Sequence, residues 1–171
     1  SIFSLGVGIG SLLCEKLSKG RVELGLVVFG AIGLSIFGID LYFSSSNILN
    51  AGSLIVQNYQ SFVGTFSHWR LLADIMLIGL FGGFYIVPLY VLIQTRAQKS
   101  FQSRVIAANN IMNAFFMVVS AGFSLLLFQQ GLNIPQLFLA TALLNAVVIV
   151  YICIRQPEYI HTFLSWIKRM V

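Results

Sequence analysis

Residues 22–43 read VELGLVVFGAIGLSIFGIDLYF, and the fold class turns on where such a run can be housed. Glu23 near one end and Asp40 near the other are its only charged residues. The hydrocarbon layer of a bilayer takes about 20 apolar residues as a helix, because no water is there to satisfy an irregular backbone. The run has that length, and it lacks the apolar–polar alternation of a membrane β-strand. Similar runs occupy about 71–94, 104–128 and 133–154, and an apolar stub at about 1–14 reads as the end of another helix. The expected fold is all-α and integral to the membrane, with about four full transmembrane helices plus the end of a fifth.

Composition leads to the same class. The chain is 58% hydrophobic and 9% charged, whereas a soluble domain carries roughly 25% charged residues. Its net charge of +5 is therefore read by position in a topology, and not as a nucleic-acid footprint. Lys16, Lys19 and Arg21 lie between the stub and the first full span; Arg96, Lys99 and Arg104 lie at the third gap; Arg155, Lys168 and Arg169 follow the last span. Only Arg70 belongs to the intervening side, so nine of the ten basic residues share one side. The positive-inside rule makes that side, and the C-terminus with it, cytoplasmic. The 44–70 connector is then an external loop with some interfacial helix. Ser1–Leu13 has neither a basic n-region nor a small-residue cleavage site, and the expectation is a fragment that starts inside a helix.

Small residues mark where helices approach. Gly6 and Gly10 are four apart, as are Gly79 and Gly83, the spacing of close-packed membrane helices. GVGIG at 6–10 is not a dinucleotide fingerprint, since Ser11 stands where the last glycine is needed. Pro88 removes one hydrogen bond from its helix and allows either a static kink or a rocking joint.

Polar residues within the spans are the candidate site. Asn109, Asn113, Ser120 and Ser124 fall within about 60° of one another at 100° per residue, with Phe116 and Phe123 on the same face and Asn110 beside it. Such a stripe is costly against lipid and is expected to face helices or an aqueous path. It reads either as interhelical glue or as the wall of a polar substrate route. Asp74 opens the 71–94 span with Tyr85 on its face, and serves either the helix dipole or proton and substrate coupling. Asn145 reads as interhelical glue, and Asp40 as an acid near enough to water to snorkel.

After Pro157, Ile160, Phe163, Leu164, Ile167 and Val171 form one apolar stripe, with Trp166 beside it and His161, Ser165, Lys168 and Arg169 facing away. This pattern predicts a basic interfacial helix on the inner leaflet, or a linker into a following domain. Cys14 and Cys153 sit near cytoplasmic ends, and with His68 and His161 they offer no metal-ligand spacing. No catalytic constellation occurs, so neither an enzyme nor a cofactor is expected of this chain.

Four stretches then carry a resemblance: GSLLCEKLSKGRVELG at 10–25, FGIDLYF at 37–43, FGGFYIVPLYVLIQ at 81–94 and SRVIAANNIMNAFFMV at 103–118. The first resembles the connector that major facilitator superfamily transporters place between their eighth and ninth helices. Gly10, Glu15, Lys16, Gly20 and Arg21 match in order, with Glu in place of Asp and a stretched spacing. Together the four are similar to bacterial lysophospholipid transporters over nearly the whole chain. The resemblance implies the second half of a twelve-helix fold: helices eight (partial) to twelve over 1–155, and the amphipathic helix or linker over 156–171. It also implies a missing N-terminal half as partner, membrane lipids and a lysophospholipid as ligands, and location in the bacterial inner membrane.

By the same resemblance Glu15, Lys16, Lys19, Arg21 and Arg104 form a cytoplasmic latch in an alternating-access cycle. The substrate path comprises Asn109, Asn110, Asn113, Phe116, Ser120, Asp74 and Tyr85. The implied activity moves lysophosphatidylethanolamine to the cytoplasmic leaflet for re-acylation. Two alternatives stay open: transport of another small solute, or service as the membrane module of a bifunctional protein with a fused acyltransferase domain and an acyl-carrier-protein synthetase domain.

Overall fold

The computed structural model describes residues 1–18, 23–50 and 66–170, all helical apart from short connections. In chain order the helices are α1 (Ile2–Ser18), α2 (Leu24–Asn50), α3 (Phe66–Arg96), α4 (Gln102–Gln129), α5 (Ile134–Arg155) and α6 (Pro157–Met170). Four of them, α2 to α5, are long and apolar enough to cross a membrane, in agreement with the four spans expected from the sequence.

Two of the spans reach further than their apolar runs. Helix α2 continues through residues 44–50, and α3 starts at Phe66, so both ends of the expected 44–70 loop are helical. The serines at this end of α2 are accommodated by bonds to their own helix: Ser44 Oγ donates to the Leu41 carbonyl at 3.3 Å and Ser45 Oγ to the same oxygen at 2.5 Å. A hydroxyl bonded back in this way hides its polarity and lets the helix run on. The interfacial helix expected within 51–65 lies outside the described residues, as do Lys19 and Arg21.

Helix α2 is the hub. It has no marked polar face and packs against α3, α5 and α6, with Ile32, Ile36 and Phe43 left on its exposed side. Against α3 its Phe29 ring lies 5.2 Å from Phe81 and 5.7 Å from Phe84. Against α5 the contact is polar: Asn145 Nδ2 donates to the Ala31 carbonyl and to Ser35 Oγ, each at 2.9 Å. Asn145 is thus the interhelical glue its sequence position suggested.

Helices α1 and α3 run parallel and press backbone to backbone along the two glycine pairs. A Cβ at Gly83 would stand 2.9 Å from the Gly10 carbonyl carbon, and one at Gly79 would stand 2.5 Å from the Phe3 carbonyl oxygen. Each small-xxx-small motif is the other's partner, and no larger residue fits without separating the helices. Helix α3 continues unbroken through Pro88, which is buried.

The turn from α4 to α5 has its own logic. Gly131 takes φ +85°, where a side chain would be strained. Asn133 then caps α5, its side chain accepting from Gln136 N at 3.0 Å while Gln136 returns an acceptor to Asn133 N at 2.8 Å. This is a capping box with Pro135 in the first turn.

Helix α6 departs from the expectation of a helix resting only on lipid. Trp166 is buried with Cys14, Leu26 and Phe84, and its ring lies 5.6 Å from Phe29. Gly25 makes the room, because a Cβ there would stand 3.0 Å from the Phe163 Cα and 3.2 Å from the Trp166 Cβ. Phe163 and Trp166 therefore dock on the base of α2, while Ile160, Leu164 and Ile167 stay exposed on the remaining apolar surface.

Candidate functional site: a charged cluster above an apolar cavity, and an uncovered polar stripe

At the end of the bundle farthest from the α1–α2 connector, α2 and α3 bring four polar side chains together. Arg70 and Asp74 are one turn apart on α3; Asp40 and Ser44 are one turn apart on the antiparallel α2. Arg70 holds Asp40 with two nitrogens: Nε donates to Oδ2 at 3.2 Å, and Nη2 forms the ion pair with Oδ1. Ser44 Oγ donates to Asp74 Oδ2 at 2.8 Å. Asp74 is 3% exposed, whereas the Arg70 side chain is 48% exposed and that of Asp40 33%. A buried carboxylate at a membrane-facing depth is costly unless it is hydrogen-bonded, and Ser44 supplies that bond.

A cavity of about 500 Å³ lies beside this cluster, among α1, α2, α3 and α5. Its wall is made by Phe3, Leu34, Gly38, Leu41, Ile75, Ile78, Phe138, Thr141, Ala142 and Asn145. Ile78 lies one turn from Asp74 on α3 and Leu41 one turn from Ser44 on α2, so the apolar wall begins about one helical turn from the charged cluster, whose own side chains do not line it. The polar atoms nearest to it are already engaged: Thr141 Oγ1 donates to the Leu137 and Phe138 carbonyls, and Asn145 bonds α2.

The candidate path residues of α4 are placed quite differently. No residue of α4 is buried, and its principal neighbour is α3. Asn113 Nδ2 donates to Tyr90 Oη at 3.1 Å, which ties the stripe to α3 at one point. Ser120 and Ser124 donate to carbonyls of their own helix, at 2.9 and 2.8 Å. Asn109 and Asn110 have no side-chain hydrogen bond to another described residue, and Phe116 is 58% exposed. The stripe therefore does not glue α4 to the other helices of this chain beyond the Asn113–Tyr90 bond.

Two placements differ from the sequence reading. Tyr85 shares a helical face with Asp74 but lies eleven residues, about 16 Å, along the helix; it packs on the Val28–Ala31–Ile149 cluster instead. Arg104 stands over the Phe101 ring at 5.6 Å, next to it in its own helix start, and forms no ion pair with Glu15. Of the two pairings open to Glu15 in the expected latch, the one with Arg104 is not made in this conformation, and the one with Lys19 lies outside the described residues. Glu15 and Lys16 lie at the end of α1, and the latch residues Lys19 and Arg21 lie outside the described residues.

Sequence reasoning singled out Asp74 but not its companions. The available signal was Arg70 four residues before Asp74, a spacing that puts a base and an acid on one face, with Asp40 at matching depth on the preceding span. No group of three or more metal-ligating side chains occurs among the described residues. The thiols of Cys14 and Cys153 are free, Cys14 buried and Cys153 half-buried. No protein-family profile, no curated protein and no solved structure matches this chain.

Proposed function

We propose that this chain is the second half of a membrane transporter that carries a lysophospholipid, lysophosphatidylethanolamine in particular, from the outer to the inner leaflet of a bacterial inner membrane. Its basic connector, the 97–101 turn and the C-terminus face the cytoplasm in this reading, and the Asp40–Arg70–Asp74 end faces outward.

The observation that carries the reading is the uncovered stripe on α4. Asn109, Asn113 and Ser120 lie along a largely apolar helix, and of the three only Asn113 reaches another helix of the chain. Amides left open on a membrane helix favour a route for a polar group, and the neighbouring Phe116 suits an acyl chain. A head group finds hydrogen-bond partners along such a wall while the tail keeps to aromatic and aliphatic surface. The substrate class is named from the resemblance read in residues 10–25, 37–43, 81–94 and 103–118.

The test is uptake of labelled lysophosphatidylethanolamine by spheroplasts that lack their own transporter and express the intact protein. Wild type is compared with Asn113→Ala at equal membrane abundance. The proposal expects uptake that falls at least about tenfold in the variant, the scale of losing one hydrogen bond to a charged head group. Absence of uptake above vector control overturns the substrate assignment. Uptake unaffected by the substitution returns the stripe to a structural role.

A further inference from the structure

We infer that the cavity beneath the Asp40–Arg70–Asp74 cluster is a binding site for a single-chain amphiphile with a zwitterionic head group, separate from the α4 stripe. The inference deepens the transport reading, and rests on it for the choice of a lysophospholipid as the ligand.

The cavity's volume of about 500 Å³ falls within the range of small-molecule sites, roughly 300–1,000 Å³. Its wall is almost wholly apolar, and the polar atoms of Thr141 and Asn145 are spent on backbone carbonyls and Ser35. A space of this kind gives nothing to a sugar or an ion, but it accepts a hydrocarbon chain. The part of the wall at Leu41 and Ile78 lies about one helical turn from a cluster that holds charge of both signs. Arg70 commits Nε and one Nη2 hydrogen to Asp40, and a guanidinium carries five N–H donors in all. Its remaining donors, on a side chain that is 48% exposed, suit a phosphate oxygen. Asp74 is buried and held by Ser44, so the carboxylate open to an ammonium group is Asp40, whose side chain is 33% exposed. Phosphate on Arg70 and amine toward Asp40 would place an attached acyl chain past Leu41 into the cavity. A diacyl lipid would have to find room for a second chain, which favours the single-chain amphiphile.

The site is tested by photolabelling. The intact protein in nanodiscs is incubated with lysophosphatidylethanolamine carrying a diazirine at the chain end, irradiated, digested and mapped by mass spectrometry. Label is expected within residues 34–41, 75–78 or 138–145. Arg70→Gln should lower it about tenfold, as for one lost charge-assisted hydrogen bond. Leu34→Trp, which fills the cavity without touching the charges, should abolish it. Asp40→Asn should cost the ethanolamine probe more than a matching glycerol-headed probe. Each variant is checked for unchanged membrane abundance and unfolding temperature, and the result is read from those that pass. Label confined to other segments, or label in the cavity that survives both Arg70→Gln and Leu34→Trp, overturns the inference. Cavity labelling in a protein that transports no lysophospholipid would sink the transport reading and leave the site standing. Transport with an unlabelled cavity would do the reverse.

Discussion

Helices α2 and α4 are both long, apolar and able to span a membrane, yet they stand in opposite relations to the rest of the chain. Half of the most apolar window of α2 is buried inside the bundle; none of that of α4 is. The polar groups of α2 are engaged with other helices: Ser35 with Asn145, Ser44 with Asp74, Asp40 with Arg70. Those of α4 bond their own backbone or stay open, apart from Asn113 and, at the helix start, Gln102. Hydropathy cannot tell the two helices apart. Their difference lies in whether small residues and polar side chains on one helix meet complementary ones on another, which is what holds membrane helices together when lipid is as apolar as leucine.

That contrast can be broken most forcefully at the glycines. Gly83→Leu forces α1 away from α3, and in unfolding assays in micelles it should cost about 3 kcal/mol, the upper range for overpacking a tight interface. Gly122 on α4 has nothing within 4 Å of its would-be Cβ, so Gly122→Leu should stay within about 0.5 kcal/mol. Equal costs at the two positions would erase the distinction between packed and uncovered helices.

Next in size is the charged cluster. Asp74→Ala removes the acceptor of a buried hydroxyl and should destabilise by about 2 kcal/mol, the scale of a hydrogen bond to a charged group. Restoration to near wild type by adding Ser44→Ala would identify the Ser44–Asp74 bond as the source. Asn145→Ala, which cuts the α2–α5 link, should cost about 1 kcal/mol, since interhelical hydrogen bonds in membranes are modest. Asn133→Ala at the cap of α5 belongs on the same scale, about 1 kcal/mol. The smallest change in stability, under about 0.5 kcal/mol, is expected at Asn109→Ala, because that amide bonds no other described side chain. A loss there as large as at Asn145 would mean that the stripe is structural after all.

The sequence shows the spans because bilayer thickness sets a length that composition alone reveals. It shows the two glycine pairs because small residues four apart leave one face bare. It does not show that Gly6 and Gly10 meet Gly79 and Gly83, since either pair could have packed on any neighbour. The joining of Asp40 and Arg70 with Ser44 and Asp74 escaped for a related reason: residues 30 apart meet only when α2 and α3 fold back on each other in one register. Tyr85 illustrates the opposite error. A shared face with Asp74 says nothing of the distance along the axis, and the ring is needed in the core beside Ala31. Trp166 was read by its periodicity within α6, whereas the space left by Gly25 on another helix decides its burial.

The central claim is that the polar face of α4 is a working surface, and water access tests it most directly. In the intact protein with Cys14 and Cys153 replaced by serine, single cysteines at Asn113 and Val118 would be exposed to a membrane-impermeant thiol reagent. The two positions point to nearly opposite sides of α4. Labelling at 113 that lysophosphatidylethanolamine suppresses, with 118 protected by lipid, is the predicted result. Equal protection at both positions, or labelling at 113 indifferent to the lysophospholipid, would contradict it.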